Sequence, residues 1–242
     1  MRAFVLSCLL TVVMLASGSP AQSEEHLIGD RSNTQVIDGD SLQIGDKVVH
    51  LAGLDAPELG QVCLRHGRPW RCGLDAAYML RKLVTLASSG SISCLPVDTV
   101  GSILVATCLD GAEDMSHVML SGGHGVTIAE GDPLYEAASA QVYAATAEAA
   151  RRASLGIWSS EFVPPAEWRR GRRLPVEDPS TACVVKGIVD VTGARLYYGP
   201  LDPGYATLDV SEAAGDRWFC SDDEARAAGW RRPGENVQKS SG

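Results

Sequence analysis

The chain has 242 residues, and 45% of them are hydrophobic, which suits one large or two modest globular domains with a buried core. Its formal net charge of −9 argues against general binding of nucleic acid or membrane surfaces through a broad basic face.

The N-terminus has the pattern of a secretory signal peptide. Arg2 supplies a positive charge, residues 3–16 are apolar, and Ser19 and Ala21 place small side chains before a cleavage site. An uncleaved membrane anchor is the alternative, but the apolar run is shorter than the about 20 residues that a span needs. We therefore predict a signal peptide at 1–21 and a periplasmic or secreted protein with no membrane span after cleavage.

Three carboxylates fall within the next stretch, which alternates short strands and turns over residues 27–58. Asp40 follows the turn Asp38-Gly39, and Asp55 and Glu58 lie in the sequence Leu-Asp-Ala-Pro-Glu. Carboxylates held close together repel one another, so the arrangement indicates a site for a divalent cation. The alternative is that these acids only satisfy backbone groups of local turns.

The following elements alternate helices and strands. The sequence predicts a helix over 73–88, strands over 91–97 and 103–109, a short helix capped by Asp114, and a long helix from Asp132-Pro133 to about Leu155. With three strands in 27–58, this order predicts an α+β fold with a five-stranded closed barrel packed against three helices.

A linker rich in proline, arginine and acidic residues is predicted at 169–180, between a domain at 27–168 and a second unit at 181–232. Its four arginines are Arg169, Arg170, Arg172 and Arg173. Such a run is either a solvated set of charges or a contact for a polyanion such as an acidic polysaccharide.

The second unit is predicted to be a small mixed α/β module. Strands are expected at 183–191, 194–198 and 206–210, and a helix from a capping box at Ser221 to Ala228. Residues 233–242 are predicted to be a disordered tail.

Cleavage of the signal peptide removes Cys8, one of seven cysteines, and leaves six. An even number in an exported chain indicates disulfides. Nearest-neighbour pairing gives Cys63–Cys72, Cys94–Cys108 and Cys183–Cys220, although six cysteines allow fifteen pairings. Zinc binding is the alternative, but the chain has no Cys-x-x-Cys and no histidine after His124.

The acidic stretch resembles the signature of staphylococcal-nuclease-like (thermonuclease) proteins. Gln61-Val62-Cys63, Cys72-Gly73 and Gly156-Ile157-Trp158 extend the likeness over residues 30 to 168. The second unit, from Cys183 to Trp230, resembles a small module called a sunset domain. The resemblance implies an OB-type barrel in an exported nuclease-like protein of the kind found in rhizobia, one of which is assigned to succinoglycan biosynthesis.

The resemblance also implies roles for single residues. Asp40 and Asp55 match calcium-ligating carboxylates, Ala56 would add a backbone carbonyl, and Glu58 matches the carboxylate that activates water. Calcium is therefore the expected cofactor.

Both phosphate-binding arginines of that family are missing. The first falls at His50 and the second near Ser102, and no lysine or arginine occurs from Leu83 to Ala150. His50 could act as a weak catalytic cation when protonated, but an ordinary imidazole is mostly neutral near pH 7. The alternative for His50 is a strand residue packed on the barrel surface.

We therefore predict an impaired or absent nuclease that binds nucleic acid weakly or not at all. A fold does not determine a function, so three classes remain. The first is an accessory factor in cell-envelope or exopolysaccharide (succinoglycan-type) production, with an acidic polysaccharide or envelope biosynthesis proteins as partners. The second is a weak calcium-dependent phosphodiesterase acting on DNA or RNA, and the third is a pure interaction module.

Overall fold

The computed structural model describes residues 26–132, 134–135, 138–177, 183–202 and 204–235. The predicted signal peptide at 1–21 lies outside these residues, as does the predicted tail beyond residue 235. Within them, no helix combines the length and the apolar character that a membrane span requires.

Short strands and helices alternate along the described residues. The strands are Leu27–Asp30 (β1), Thr34–Val36 (β2), Ser41–Ile44 (β3), Lys47–Leu51 (β4), Leu54–Asp55 (β5), Cys63–Arg65 (β6), Arg68–Trp70 (β7), Ser91–Val100 (β8), Ile103–Asp110 (β9), Glu113–Asp114 (β10), Val126–Thr127 (β11), Val185–Val189 (β12), Arg195–Tyr198 (β13) and Arg217–Phe219 (β14). The helices are Cys72–Thr85 (α1), Met115–Ser121 (α2), Ala140–Arg152 (α3), Pro165–Arg169 (α4) and Asp222–Ala227 (α5).

A nearly closed, barrel-like sheet of seven strands forms the larger part of the chain. Its strand order is β1-β8-β9-β4-β3-β2, with β10 paired to β9, and only the β4–β9 pair is parallel. The α+β class is as predicted, but the sheet has seven strands and not five. One reason is that Asp30 Oδ1 accepts hydrogen bonds from the N–H groups of Ser32 and Asn33, which turns the chain between β1 and β2.

The main core lies between this sheet and helices α1, α2 and α3. Alternate residues of β3 and β4, such as Leu42 and Val49, are fully buried, as the period of two in a strand requires. From α1, Ala76 and Leu80 lie four residues apart on one helix face and meet this layer.

Two of the three helices predicted for the first part lie where the sequence places them. Helix α2 begins after Asp114, whose carboxylate accepts hydrogen bonds from the N–H groups of Ser116 and His117. The predicted start of the third helix at Asp132 is wrong, because α3 begins at Ala140. Asp132 Oδ1 instead accepts a hydrogen bond from the N–H of Leu134 within a local turn.

A second, smaller core belongs to the C-terminal unit, where β12 pairs with both β13 and β14. The predicted strand at 206–210 is wrong, since Tyr205–Thr207 form a 3₁₀ turn and the third strand is β14. The carbonyl groups of Tyr205 and Leu208 accept hydrogen bonds from Lys186 Nζ, so they do not extend a sheet. Helix α5 begins at its predicted cap, with Ser221 Oγ accepting from the N–H of Glu224.

The two units contact each other through α1. Tyr78 Oη donates a hydrogen bond of 2.9 Å to the carbonyl oxygen of Pro200, and Arg81 donates to that of Leu201. The side chain of Leu201 packs against the main core. These contacts place residues 200–201 against the barrel.

Three disulfides link the predicted pairs, Cys63–Cys72, Cys94–Cys108 and Cys183–Cys220. The first joins β6 to the start of α1, the second crosses the β8–β9 pair, and the third ties the start of the C-terminal unit to the end of β14.

The small C-terminal core predicts a strong dependence on its disulfide. Five residues form this core, and the Cys183–Cys220 bond closes a loop with a sequence separation of 37. Replacing both cysteines with alanine should destabilise the unit by about 2–4 kcal/mol. Hydrogen exchange should then quicken in β12–β14 while β3 and β4 keep their protection.

The matched control is the Cys94→Ala, Cys108→Ala variant, which lacks the disulfide between β8 and β9. In this control, hydrogen exchange should quicken in β8 and β9. Unchanged exchange in β12–β14 of the first variant would contradict this account of the C-terminal unit.

Candidate functional site

The three predicted carboxylates converge on one side of the barrel. Asp40 immediately precedes β3, Asp55 ends β5, and Glu58 lies in the loop that follows β5. Strand β5 is held by pairing with β11, in which Asp55 lies opposite Val126. Asp40 and Asp55 are 6% and 7% exposed, so both are buried acids that need hydrogen-bond partners.

The carboxylate of Asp40 is fully engaged by its neighbours. Its Oδ2 accepts a hydrogen bond of 2.7 Å from the backbone N–H of Ala56, and its Oδ1 accepts one of 2.8 Å from Ser41 Oγ. Ala56 thus contributes its N–H at this site. Burial raises the pKa of Asp40 to about 6, although these hydrogen bonds act in the opposite direction.

Asp38, which the sequence predicts only as a turn residue, is a fourth carboxyl group at this site. It is partly buried, and its Oδ1 accepts a hydrogen bond of 3.1 Å from the backbone N–H of Asp40. Burial, and next the negative charge of Asp40, raise the pKa of Asp38 to about 7. The sequence Asp38-Gly39-Asp40 could have indicated this role, because two carboxyl groups so close together rarely ionise at the same pH.

His50 lies inside the barrel wall and does not present a cation to solvent. It is 8% exposed, and its Nε2 lies 3.0 Å from the carbonyl oxygen of Leu54. Since that carbonyl can only accept, Nε2 carries the proton, and Nδ1 faces Ser41 Oγ at 3.3 Å and Asp40 Oδ1 at 3.4 Å. Burial lowers the pKa of His50, which keeps the ring neutral near pH 7.

Ser102 lies apart from the acids, at the turn between β8 and β9. Val105 of β9 lies opposite His50 in the parallel pair. Ser102 comes three residues before Val105, which corresponds to about 10 Å along an extended chain. It lines a 570 Å³ cavity that also includes Lys47 and Thr99. Position 102 therefore supplies no charge to the acidic cluster.

The loop that carries Glu58 packs directly against the first turn of α1. A Cβ atom on Gly73 would lie 1.7 Å from the carbonyl oxygen of Glu58, so only glycine allows the helix to approach this closely. Gln61, which is fully buried, accepts from the N–H of Glu58 and donates a 2.6 Å hydrogen bond from Nε2 to the carbonyl oxygen of Val163. Gln61 therefore links the Glu58 loop to the segment that leads into α4.

Arg169, at the end of α4, lies inside the acidic cluster. Its Nη1 donates to Asp55 Oδ1 at 2.8 Å and to Glu58 Oε1 at 2.7 Å. The site therefore does hold a permanent cation, although neither His50 nor Ser102, where the resemblance places the two arginines, provides it. Although burial alone would lower it, the two hydrogen bonds raise the pKa of Arg169 above its ordinary value and keep the group charged.

Helix α4 is anchored on both sides, so the predicted linker begins with packed structure. Before the helix, Val163 is 2% exposed and carries the hydrogen bond from Gln61. After it, Leu174 is buried, and Glu177 accepts a 2.7 Å hydrogen bond from Trp168 Nε1. Residues 178–182 of the predicted linker lie outside the described residues.

Two other arginines of the predicted polyanion contact also have carboxylate partners within the chain. Arg172 pairs with Glu167, while Arg173 stacks at 3.6 Å on the ring of Trp168 and lies 3.9 Å from Glu177. Arg170 is exposed. A contact between these residues and a polyanion stays a prediction.

The described residues do not fit a divalent cation in this arrangement. Among them, no group of three or more His, Cys, Asp or Glu side chains is placed to hold a metal ion. Both oxygens of Asp40 accept hydrogen bonds from the chain, and one oxygen each of Asp55 and Glu58 is bound to Arg169. Calcium binding at Asp40, Asp55 and Ala56 stays a prediction that requires these groups to rearrange.

No protein-family model matches the chain. The chain is similar to the succinoglycan biosynthesis protein ExoI of Rhizobium meliloti (strain 1021), with 30% identity over 155 residues. This alignment covers 63% of the present chain and 75% of that protein.

The raised pKa values of Asp38 and Asp40 predict that stability falls as pH rises. The folded protein binds more protons than the unfolded chain between about pH 4 and pH 7, so the free energy of unfolding decreases through this window. We expect a loss on the order of 2 kcal/mol between pH 5 and pH 8. In Asp38→Asn this loss should shrink, as measured by urea unfolding at both pH values.

The matched control is Asp46→Asn, since the Asp46 side chain in the β3–β4 turn is 86% exposed. If Asp38→Asn and the wild type lost equal stability over this range, the coupling of Asp38 to the buried cluster would be wrong.

Proposed function

Because the chain belongs to the family of the succinoglycan biosynthesis protein ExoI, we propose that it is an exported accessory factor in exopolysaccharide production. In this proposal the barrel is a binding scaffold and not a phosphodiesterase. The polymer would be an acidic, succinoglycan-type polysaccharide, and the partners would be that polymer or envelope proteins that build it.

The observation that carries the proposal is the contact of Arg169 with Asp55 and Glu58. A hydrolytic site of the nuclease type needs one carboxylate to hold a metal and another to activate water. Here both carboxylates are hydrogen-bonded to a guanidinium of the same chain. Burial raises the pKa of Glu58, although the hydrogen bond from Arg169 acts in the opposite direction. Before Glu58 could accept a proton at the oxygen bound to Arg169, that hydrogen bond would have to break.

The positions that would clamp a phosphate support the same conclusion. Phosphoryl transfer depends mainly on cations that stabilise the oxygens of the transferred group, and removing one preorganised donor costs about 10²–10³ in rate. His50 is buried and neutral near pH 7, and position 102 is an uncharged serine about 10 Å along the strand.

The finer features of the fold belong to the same proposal. We propose an OB-type, nuclease-like domain at 27–168, a connecting segment at 169–180 and a sunset-type module at 181–232. The seven-stranded barrel-like sheet and the separate core of the C-terminal unit support this division. Three disulfides support export to the periplasm or the medium, where thiols become oxidised.

A weak calcium-dependent phosphodiesterase is the second candidate. The convergence of Asp40, Asp55 and Glu58 on one side of the barrel favours it, because unrelated turn acids need not meet. In that case DNA or RNA would be the substrate, and Arg169 would have to leave Glu58 before this residue could accept a proton.

Complementation separates the two candidates. In a strain that lacks the gene, the wild-type chain should restore exopolysaccharide yield, and Glu58→Gln should restore it equally, because the accessory role does not use this carboxylate as a base. The yield of polymer in the medium is the measurement, and circular dichroism of the purified variant checks that it is folded.

The same purified proteins should leave single-stranded DNA and RNA intact from pH 5 to pH 9, with and without calcium. Calcium-dependent cleavage by the wild type that is lost in Glu58→Gln, together with failure of Glu58→Gln to complement, would reject the accessory role and establish the phosphodiesterase.

A further inference from the structure

One nitrogen atom of Arg169 joins two carboxylates from separate positions around the β5 turn. Arg169 is 114 residues from Asp55 and 111 residues from Glu58 along the chain, so the contact exists only in the folded protein. Both distances, 2.8 Å and 2.7 Å, are those of strong charge-assisted hydrogen bonds.

The charge of the cluster explains why a cation is needed here. Asp55 and Glu58 each place one oxygen within 2.8 Å of the same nitrogen atom of Arg169, and the Asp40 carboxylate accepts a hydrogen bond from the N–H of Ala56, the residue that follows Asp55. Acids gathered in this way are destabilised by mutual repulsion and by loss of water unless a positive charge compensates them. Arg169 supplies that charge from within the chain.

We propose that the guanidinium of Arg169 is the resident cation of the acidic cluster, and that a divalent cation binds Asp55 and Glu58 only after Arg169 has moved away. Arg169 thereby competes with the metal ion for the carboxylate oxygens of Asp55 and Glu58. The role of Arg169 as the resident cation does not depend on whether the chain acts in polysaccharide production.

The two occupants exclude each other because they need the same oxygens. Calcium binds carboxylate oxygens at about 2.3–2.6 Å and requires about six to eight oxygen ligands. Arg169 Nη1 already lies within 2.8 Å of one oxygen of Asp55 and one of Glu58. An ion placed there would also face the positive guanidinium at close range, which opposes binding.

Helix α4 can release Arg169 without opening the barrel. The helix has five residues, and the Arg169 side chain is 44% exposed, so little buried surface is lost when it swings outward. The anchors on either side, Val163 and Leu174, lie outside the contact and can stay in place. Arg169 can therefore leave the two carboxylates while the residues that anchor α4 keep their positions.

Calcium titration of the purified chain tests the proposal, with thermal unfolding and isothermal calorimetry as readouts. In the wild type, millimolar calcium should leave the melting temperature unchanged. In Arg169→Ala, and equally in Arg169→Gln, calcium should bind at least tenfold more tightly and raise the melting temperature by about 2 °C or more. Arg170→Ala is the matched control and should behave as the wild type.

A second substitution assigns the ion to this site. Adding Glu58→Gln to Arg169→Ala should abolish the calcium effect. Tight binding of one calcium ion by the wild type that is lost in Glu58→Gln would overturn the proposal, as would equal calcium responses in the wild type and Arg169→Gln. If Arg169→Ala fails to fold, Arg169→Gln, which keeps a polar side chain at this position, provides the comparison with the wild type.

Discussion

Four carboxyl groups gathered on one side of a barrel are the constraint on which the rest of this site depends. Asp40 and Asp55 are buried, so each must be hydrogen-bonded, neutralised or protonated. The chain uses all three solutions. Asp40 accepts hydrogen bonds from Ala56 and Ser41, Asp38 accepts one from the N–H of Asp40 and has a pKa raised to about 7, and Arg169 compensates Asp55 and Glu58.

Several covalent and steric features keep these groups in place. Gly73 allows α1 to pass directly beneath the Glu58 carbonyl, and the Cys63–Cys72 disulfide ties that helix to β6. Gln61 continues the connection to Val163, just before α4. One set of contacts therefore holds both the loop that carries Glu58 and the segment that leads into α4.

Much of this arrangement could be predicted from the sequence, but its counter-charge could not. Asp40, Asp55 and Glu58 lie within 19 residues on short strands, so local turn geometry brings them together. Arg169 comes from more than 100 residues away, and in a proline- and arginine-rich segment it had the pattern of a solvated charge. The wrongly predicted strand at 206–210 has a similar cause, because Lys186, from another strand, binds the carbonyl groups there.

Arg169 is expected to stabilise the acidic cluster through its contacts with Glu58 and Asp55. A double-mutant cycle of Arg169→Ala and Glu58→Gln, followed by urea unfolding at pH 7, tests this stabilisation most directly. Because the pair is half-buried and well aligned, the account predicts a favourable coupling free energy of at least about 0.5 kcal/mol. Additive effects of the two substitutions, with no coupling, would contradict it.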